Sequence, residues 1–183
     1  MTTTNPLEDN ARKITAISSS VQNLHTKVRL SSLVDKIGDL NNTVDDLPQQ
    51  IKDLRSRNYA FGKDLEAEAA DLGKRWKRSQ PSTRRKLEQE VSQLQVKIKP
   101  LEAQMNRLSR LKNNPRAAGP LIAQLESGTK SLESETTAAE SVVSGMFNDL
   151  ESDMNQLKWQ IHNIEWMLNE IEEKLYILEG RSK

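Results

Sequence analysis

Two histidines, His25 and His162, are the side chains of this chain best suited to metal or proton chemistry. A carboxylate-bridged metal pair inside a helical bundle needs Glu-x-x-His repeats. Here Gln22 and Trp159 stand three residues before the two histidines. A zinc site needs three or four ligands, often cysteine thiolates, and the chain has no cysteine. Its seven glycines are scattered and form no phosphate-cradling loop between strand and helix. Carboxylates acting as acid and base need a cleft that gives each a different environment. The Asp and Glu residues here fall mostly on the polar faces of the helices described below. The reading is therefore of a non-enzyme with no catalytic residue, no metal ligand and no cofactor.

The most distinctive local chemistry is cationic. Lys74, Arg75, Lys77, Arg78, Arg84, Arg85 and Lys86 surround Trp76 and the segment Ser79-Gln80-Pro81-Ser82. Residues 74–116 hold 13 basic and 3 acidic groups, against 3 and 12 in residues 117–180. Three partners suit such a block. The first is the chain's own acidic third region, with Glu133, Glu135, Glu140, Asp149, Glu151 and Asp153, because flanking charges set helix pairing and orientation. The second is an anionic membrane surface, where each Lys or Arg contributes about 1 kcal/mol and Trp76 would suit the interface. Nucleic-acid phosphate comes third, since the segment lacks the interleaved aromatics of a stacking platform.

A second candidate surface lies near the C-terminal end. Trp159, His162 and Trp166 recur at three- and four-residue spacing, beside a main apolar line through Leu157, Ile161, Ile164, Leu168 and Ile171. Glu173 continues the tryptophan line. A second apolar flank widens a buried face. Burial against a third helix is the first expectation. If the tryptophans are exposed, this region becomes the expected self-association surface, because paired exposed tryptophans often carry binding energy.

These groups must be positioned by helices. The 183 residues are 29% charged and only 4% aromatic, which suits solvated helices with a narrow apolar seam. Asn5-Pro6-Leu7-Glu8 reads as a helix start, with Asn5 as cap and Pro6 in the first turn. Apolar residues follow at heptad spacing from Ile14 to Val28, slip in phase near Arg29, and resume from Leu30 to Trp76 with one polar position at Asn58. Leu87 to Leu108 and Phe147 to Leu178 continue the pattern. Pro48 and Pro100 interrupt it without shifting its phase, which predicts kinks or short breaks. Ser79–Ser82 and Asn113–Pro120 are read as the two turns.

The expected fold is all-α: one elongated antiparallel coiled coil or three-helix bundle over residues 1–183. Its proline-kinked helices span approximately 6–78, 82–112 and 120–179, with the basic segment 74–86 at one tip. No run is apolar enough to span a bilayer, and Met1-Thr2-Thr3-Thr4 lacks the basic and apolar regions of a signal peptide. A cytoplasmic location follows as the default, or a peripheral one on the inner face of a membrane.

In architecture and charge layout the chain resembles the proline-kinked three-helix membrane-shaping modules of the BAR type, and more distantly the long hairpins of ESCRT-III-like and PspA-like proteins. That resemblance implies a membrane-remodelling scaffold. The leading expectation is thus a non-enzymatic coiled-coil scaffold that self-associates as a homodimer or larger assembly and docks on anionic lipid through the basic tip. The alternative is a cytoplasmic adaptor or filament protein that binds other coiled-coil proteins without lipid. A nucleic-acid tether ranks third.

Overall fold

The computed structural model describes residues 5–111 and 113–180, and the side chains of all of these except Ala60 and Phe61. The seam position expected of Phe61, and Lys112 in the basic block, fall outside the described residues. The described residues are all-α, in five helices with no strand among them: α1 (Pro6–Val28), α2 (Ser31–Arg57), α3 (Tyr59–Leu111), α4 (Pro115–Gly145) and α5 (Asn148–Leu178).

Both ends of the sequence pattern at Asn5-Pro6 and Asn114-Pro115 start helices. Asn5 Oδ1 accepts from the Leu7 amide at 3.2 Å and Asn114 Oδ1 from the Ala117 amide at 3.3 Å. Proline then fills the first helical position, where its missing N–H costs nothing. The expected loop at 113–120 is therefore only Asn113 and Asn114 among the described residues, and Gly119-Pro120 lies inside α4.

The helix limits read from the sequence need correcting. The expected helix 6–78 is broken at Arg29–Leu30 and at Asn58. These are the two places where the apolar pattern slips or turns polar. Leu30 takes the left-handed conformation (φ 47°) and is nevertheless buried. Strain of this kind costs on the order of 1–3 kcal/mol, which the buried leucine offsets. At the second break Gly62 packs against Arg55, whose Cα would stand 2.5 Å from any added Cβ. Only glycine allows that approach. The expected helix 120–179 is likewise divided, by Met146 and Phe147.

The expected turn at Ser79–Ser82 does not exist: α3 runs through it. Trp76, Thr83 and Leu87 are all buried, so the seam passes Pro81 unbroken. Ser79 Oγ donates to the Trp76 carbonyl at 3.2 Å, and the Ser82 and Thr83 hydroxyls donate to the Ser79 carbonyl at 2.8 and 3.1 Å. Pro48, Pro81, Pro100 and Pro120 all occupy exposed positions within helices. There the lost hydrogen bond lies on the wet side of the helix and the apolar face is kept.

The chain divides into two compact units. The first joins α1, the first turn of α2 through Val34, the part of α3 after Thr83, and α4 through Ser144. The second joins α2 from Asp35, the part of α3 up to Thr83, and α5. In the first unit Leu24, Leu108, Leu125 and Val143 are fully buried. Its α4 contributes small side chains: Gly128 lets Leu101 approach so closely that an added Cβ would stand 2.7 Å from Leu101 Cδ2. Thr129 and Thr136 bury their methyls and return their hydroxyls to the carbonyls of Leu125 and Leu132. In the second unit Leu47, Ile51 and Leu54 of α2 share the core with Leu65, Leu72 and Trp76 of α3, with Phe147 just before α5, and with Met154 and Leu157 of α5.

Candidate interaction surfaces

The basic segment occupies the interior of α3, not a tip between two helices. Its members divide between the units: Lys74, Arg75, Trp76, Lys77 and Arg78 belong to the second, Arg84, Arg85 and Lys86 to the first. Trp76 cannot serve an interface. It is 3% exposed, and its indole Nε1 donates to Asn41 Oδ1 at 2.5 Å. Its place in the seam, four residues after Leu72 and seven after Ala69, decides its position over its cationic neighbours.

The cations are not equivalent. Arg75 bridges to Asp153 of α5 at 2.6 Å. Arg84 and Lys86 pair within α3, one turn on, with Glu88 at 3.2 Å and Glu90 at 2.6 Å. Lys74, Lys77, Arg78 and Arg85 are exposed and make no ion pair with a described residue. Lys74, Lys77 and Arg78 recur at three- and four-residue spacing, so they share one outward side of α3 in the second unit.

Other charges stitch helices together inside each unit. In the second unit, Lys36 meets Glu151 at 2.5 Å and lies 5.3 Å over the Phe147 ring. Arg57, the last residue of α2, donates to Asn169 at 2.7 Å and to Glu172 at 2.9 and 3.0 Å. In the first unit, Lys97 pairs with Glu135 and His25 with Glu102. Of the six acidic residues expected to meet the basic block, Glu135 and Asp153 do so, through Lys97 and Arg75, whereas Glu151 meets Lys36 of α2. At the start of α1, a hydrogen bond from Lys13 to Asp9 holds the ammonium above its ordinary pKa.

The two histidines lie in different units. His25 is hydrogen-bonded to Glu102, and His162 is an exposed residue of α5. An open groove of about 480 Å³ runs beside the Arg75–Asp153 bridge, between Glu68 and Asp71 of α3 and Gln156 of α5. Glu68 and Asp71 are exposed to water. They therefore share one solvated environment, while Asp153 in the same groove is half-buried.

The α5 surface departs most from expectation. Leu157, Ile161 and Leu168 are buried and Ile164 half-buried, as a seam requires. Trp159 and Trp166 are 65% and 62% exposed, which overturns their burial against a third helix. The reason is angular. Each tryptophan sits two residues before a seam residue, Ile161 or Leu168, and two residues turn a helix through about 200°. The tryptophans thus lie behind the seam, not on its flank, and His162 is exposed with them. Ile171, expected to continue the seam, is 53% exposed, and every residue from Ile171 to Gly180 is exposed. Sequence reasoning missed that the seam outlasts its cover. The signal available was the polar Asn58, which marks where α2 stops.

No helix among the described residues is long and apolar enough to cross a membrane. No family model, curated protein or solved structure matches this chain.

Proposed function

We propose that the chain is a non-enzymatic helical scaffold, packed as antiparallel three-stranded coiled coil, that self-associates through the outer surface of α5. The observation that carries this reading is the pair of tryptophans, Trp159 and Trp166, one heptad apart and exposed on one side of a helix. Large aromatic side chains left in water are costly unless another surface covers them. Tryptophan is also the residue type most enriched among energetically dominant contacts. Light scattering across protein concentrations tests it. The native chain should exceed the 20.8 kDa of one copy. Trp159→Ala with Trp166→Ala should return it to that mass with its helical circular dichroism intact. A native chain that stays at one copy at every concentration ends the proposal.

A second reading, docking on an anionic membrane, is favoured by Lys74, Lys77 and Arg78, which are exposed, share a side and lack an acidic partner among the described residues. It no longer includes Trp76, nor Arg75, whose charge is engaged by Asp153. Co-sedimentation with vesicles of anionic and neutral lipid tests it.

A further inference from the structure

The tryptophan face of α5 carries a charge pattern of its own. From Met154 to Asn169 the helix holds only two charged residues, Lys158 and Glu165, in a chain that is 29% charged, counting histidine as neutral. Around Trp159 and Trp166 the outward positions are Asn155, Gln156, His162 and Asn163, exposed but for the half-buried Asn163. A surface with exposed tryptophans and little charge has the composition of a contact core.

Lys158 and Glu165 are also the two charges that α2 leaves unanswered. At heptad spacing, α2 presents Lys36, Thr43, Gln50 and Arg57, and α5 presents Glu151, Lys158, Glu165 and Glu172. The outer rungs of this ladder are ion pairs, Lys36 with Glu151 at 2.5 Å and Arg57 with Glu172 at 2.9 Å. At the inner rungs α2 offers only the uncharged Thr43 and Gln50. Lys158 and Glu165 make no ion pair with a described residue.

A second copy supplies what α2 does not. Laid antiparallel, with a two-fold axis between His162 and Asn163, it sets Trp159 of each copy opposite Trp166 of the other. Lys158 then stands within about 3 Å, along the helix, of the level of the other copy's Glu165. The contact is isologous, so this pairing occurs twice. Farther out, Glu173 falls opposite Ser152 and Glu170 opposite Asn155. Asp153 comes near the level of the other copy's Glu170, but Arg75 and Lys174 already engage these two acids. Asp64 and Glu68 of α3 line the groove beside Trp159 and Asn163. They are exposed to water, where salt screens them. A parallel copy instead sets every residue at the level of its own counterpart, Lys158 with Lys158, Glu165 with Glu165 and Glu173 with Glu173. Like charges so placed disfavour pairing.

We infer that the partner of the tryptophan face is a second copy of this chain docked antiparallel, and that Lys158 and Glu165 select it through reciprocal ion pairs. The inference rests on self-association through that face and adds its orientation and the residues that specify it.

Analytical ultracentrifugation of the full chain tests it. Lys158→Glu alone and Glu165→Lys alone should each weaken association about tenfold, because two attractive pairs become two repulsive ones. An equimolar mixture of the two variants should associate at native strength, since acid again meets base at both pairs. One chain carrying both changes should do the same. Neither residue pairs with another helix, so circular dichroism should not change. The chain has no cysteine, so introduced thiols report the orientation. His162→Cys should give a disulfide-linked pair on oxidation. Asn155→Cys should not, its two copies standing about 20 Å apart along the helices. The inference is overturned if the single reversals leave association unchanged, if the mixture fails to restore it, or if Asn155→Cys links as readily as His162→Cys. Those outcomes leave self-association standing, whereas a native chain of one copy removes both.

Discussion

At the scale of single residues, the side chains with the most conspicuous chemistry divide by helical angle, not by type. Trp76 stands between four cations in sequence, yet its distances from Ala69 and Leu72 put it on the buried face, where it bonds Asn41. That placement was legible from spacing alone. What spacing could not reveal was which cations would be neutralised, since Arg75 meets Asp153 only through the packing of α3 on α5. The difference gives the membrane reading a sharp form. Each cation near an anionic surface contributes about 1 kcal/mol. Reversing Lys74, Lys77 and Arg78 to Glu should therefore lower the affinity for anionic vesicles by more than about 100-fold. Trp76→Phe should not change that affinity, although it leaves Asn41 without its donor and lowers stability by about 1–2 kcal/mol. Equal recovery with neutral vesicles, or a charge-reversed chain that binds as well, would remove lipid from the functional reading.

At the scale of elements, the heptad pattern was a better guide than the proline punctuation. Every interior proline of the described helices is on an exposed face. The actual breaks at Leu30 and Asn58 contain no proline, and they show themselves only as a phase slip and a polar seam position. The break at Met146–Phe147 has even less signal. Phe147 is fully buried beneath Lys36 and keeps the apolar spacing, so nothing at that point reads as a stop. Prolines were overweighted because their cost in a helix, about 3 kcal/mol, is large by itself. A continuous seam of Leu72, Trp76, Thr83 and Leu87 on the far face exceeds it. Pro81→Ala tests this balance. In a helix the change restores a backbone hydrogen bond and removes the ring clash, raising stability by roughly 1–3 kcal/mol in urea unfolding. In a turn between two helices, alanine would free the unfolded chain and lower stability by about 0.4–1 kcal/mol. The sign of the change, not its size, decides between the two structures.

At the scale of the molecule, the basic block 74–116 and the acidic block 117–180 do not correspond to the two units. Each unit takes part of both: late α3 with α4 in the first, and residues 74–83 of α3 with α5 in the second. Basic α3 therefore meets an acidic helix in both, as Lys97–Glu135 and as Arg75–Asp153. The expected pairing of middle and last regions is realised twice over, once in each unit. Division into two units was not legible, because the breaks between them leave the heptad spacing nearly intact. Exposed ion pairs of this sort contribute about 0–1 kcal/mol each, so each unit rests on its own apolar core. Core substitutions should accordingly act locally. Leu125→Ala should cost about 2–5 kcal/mol, and the loss should appear in amide hydrogen exchange of α1, α4 and the part of α3 after Thr83. Leu54→Ala should raise exchange in α2, α5 and the part of α3 up to Thr83. Such regional opening is how separately cored units respond to a cavity. If either substitution speeds exchange by the same factor in all five helices, the two cores unfold as one cooperative body, and continuity of α3 outweighs their separation.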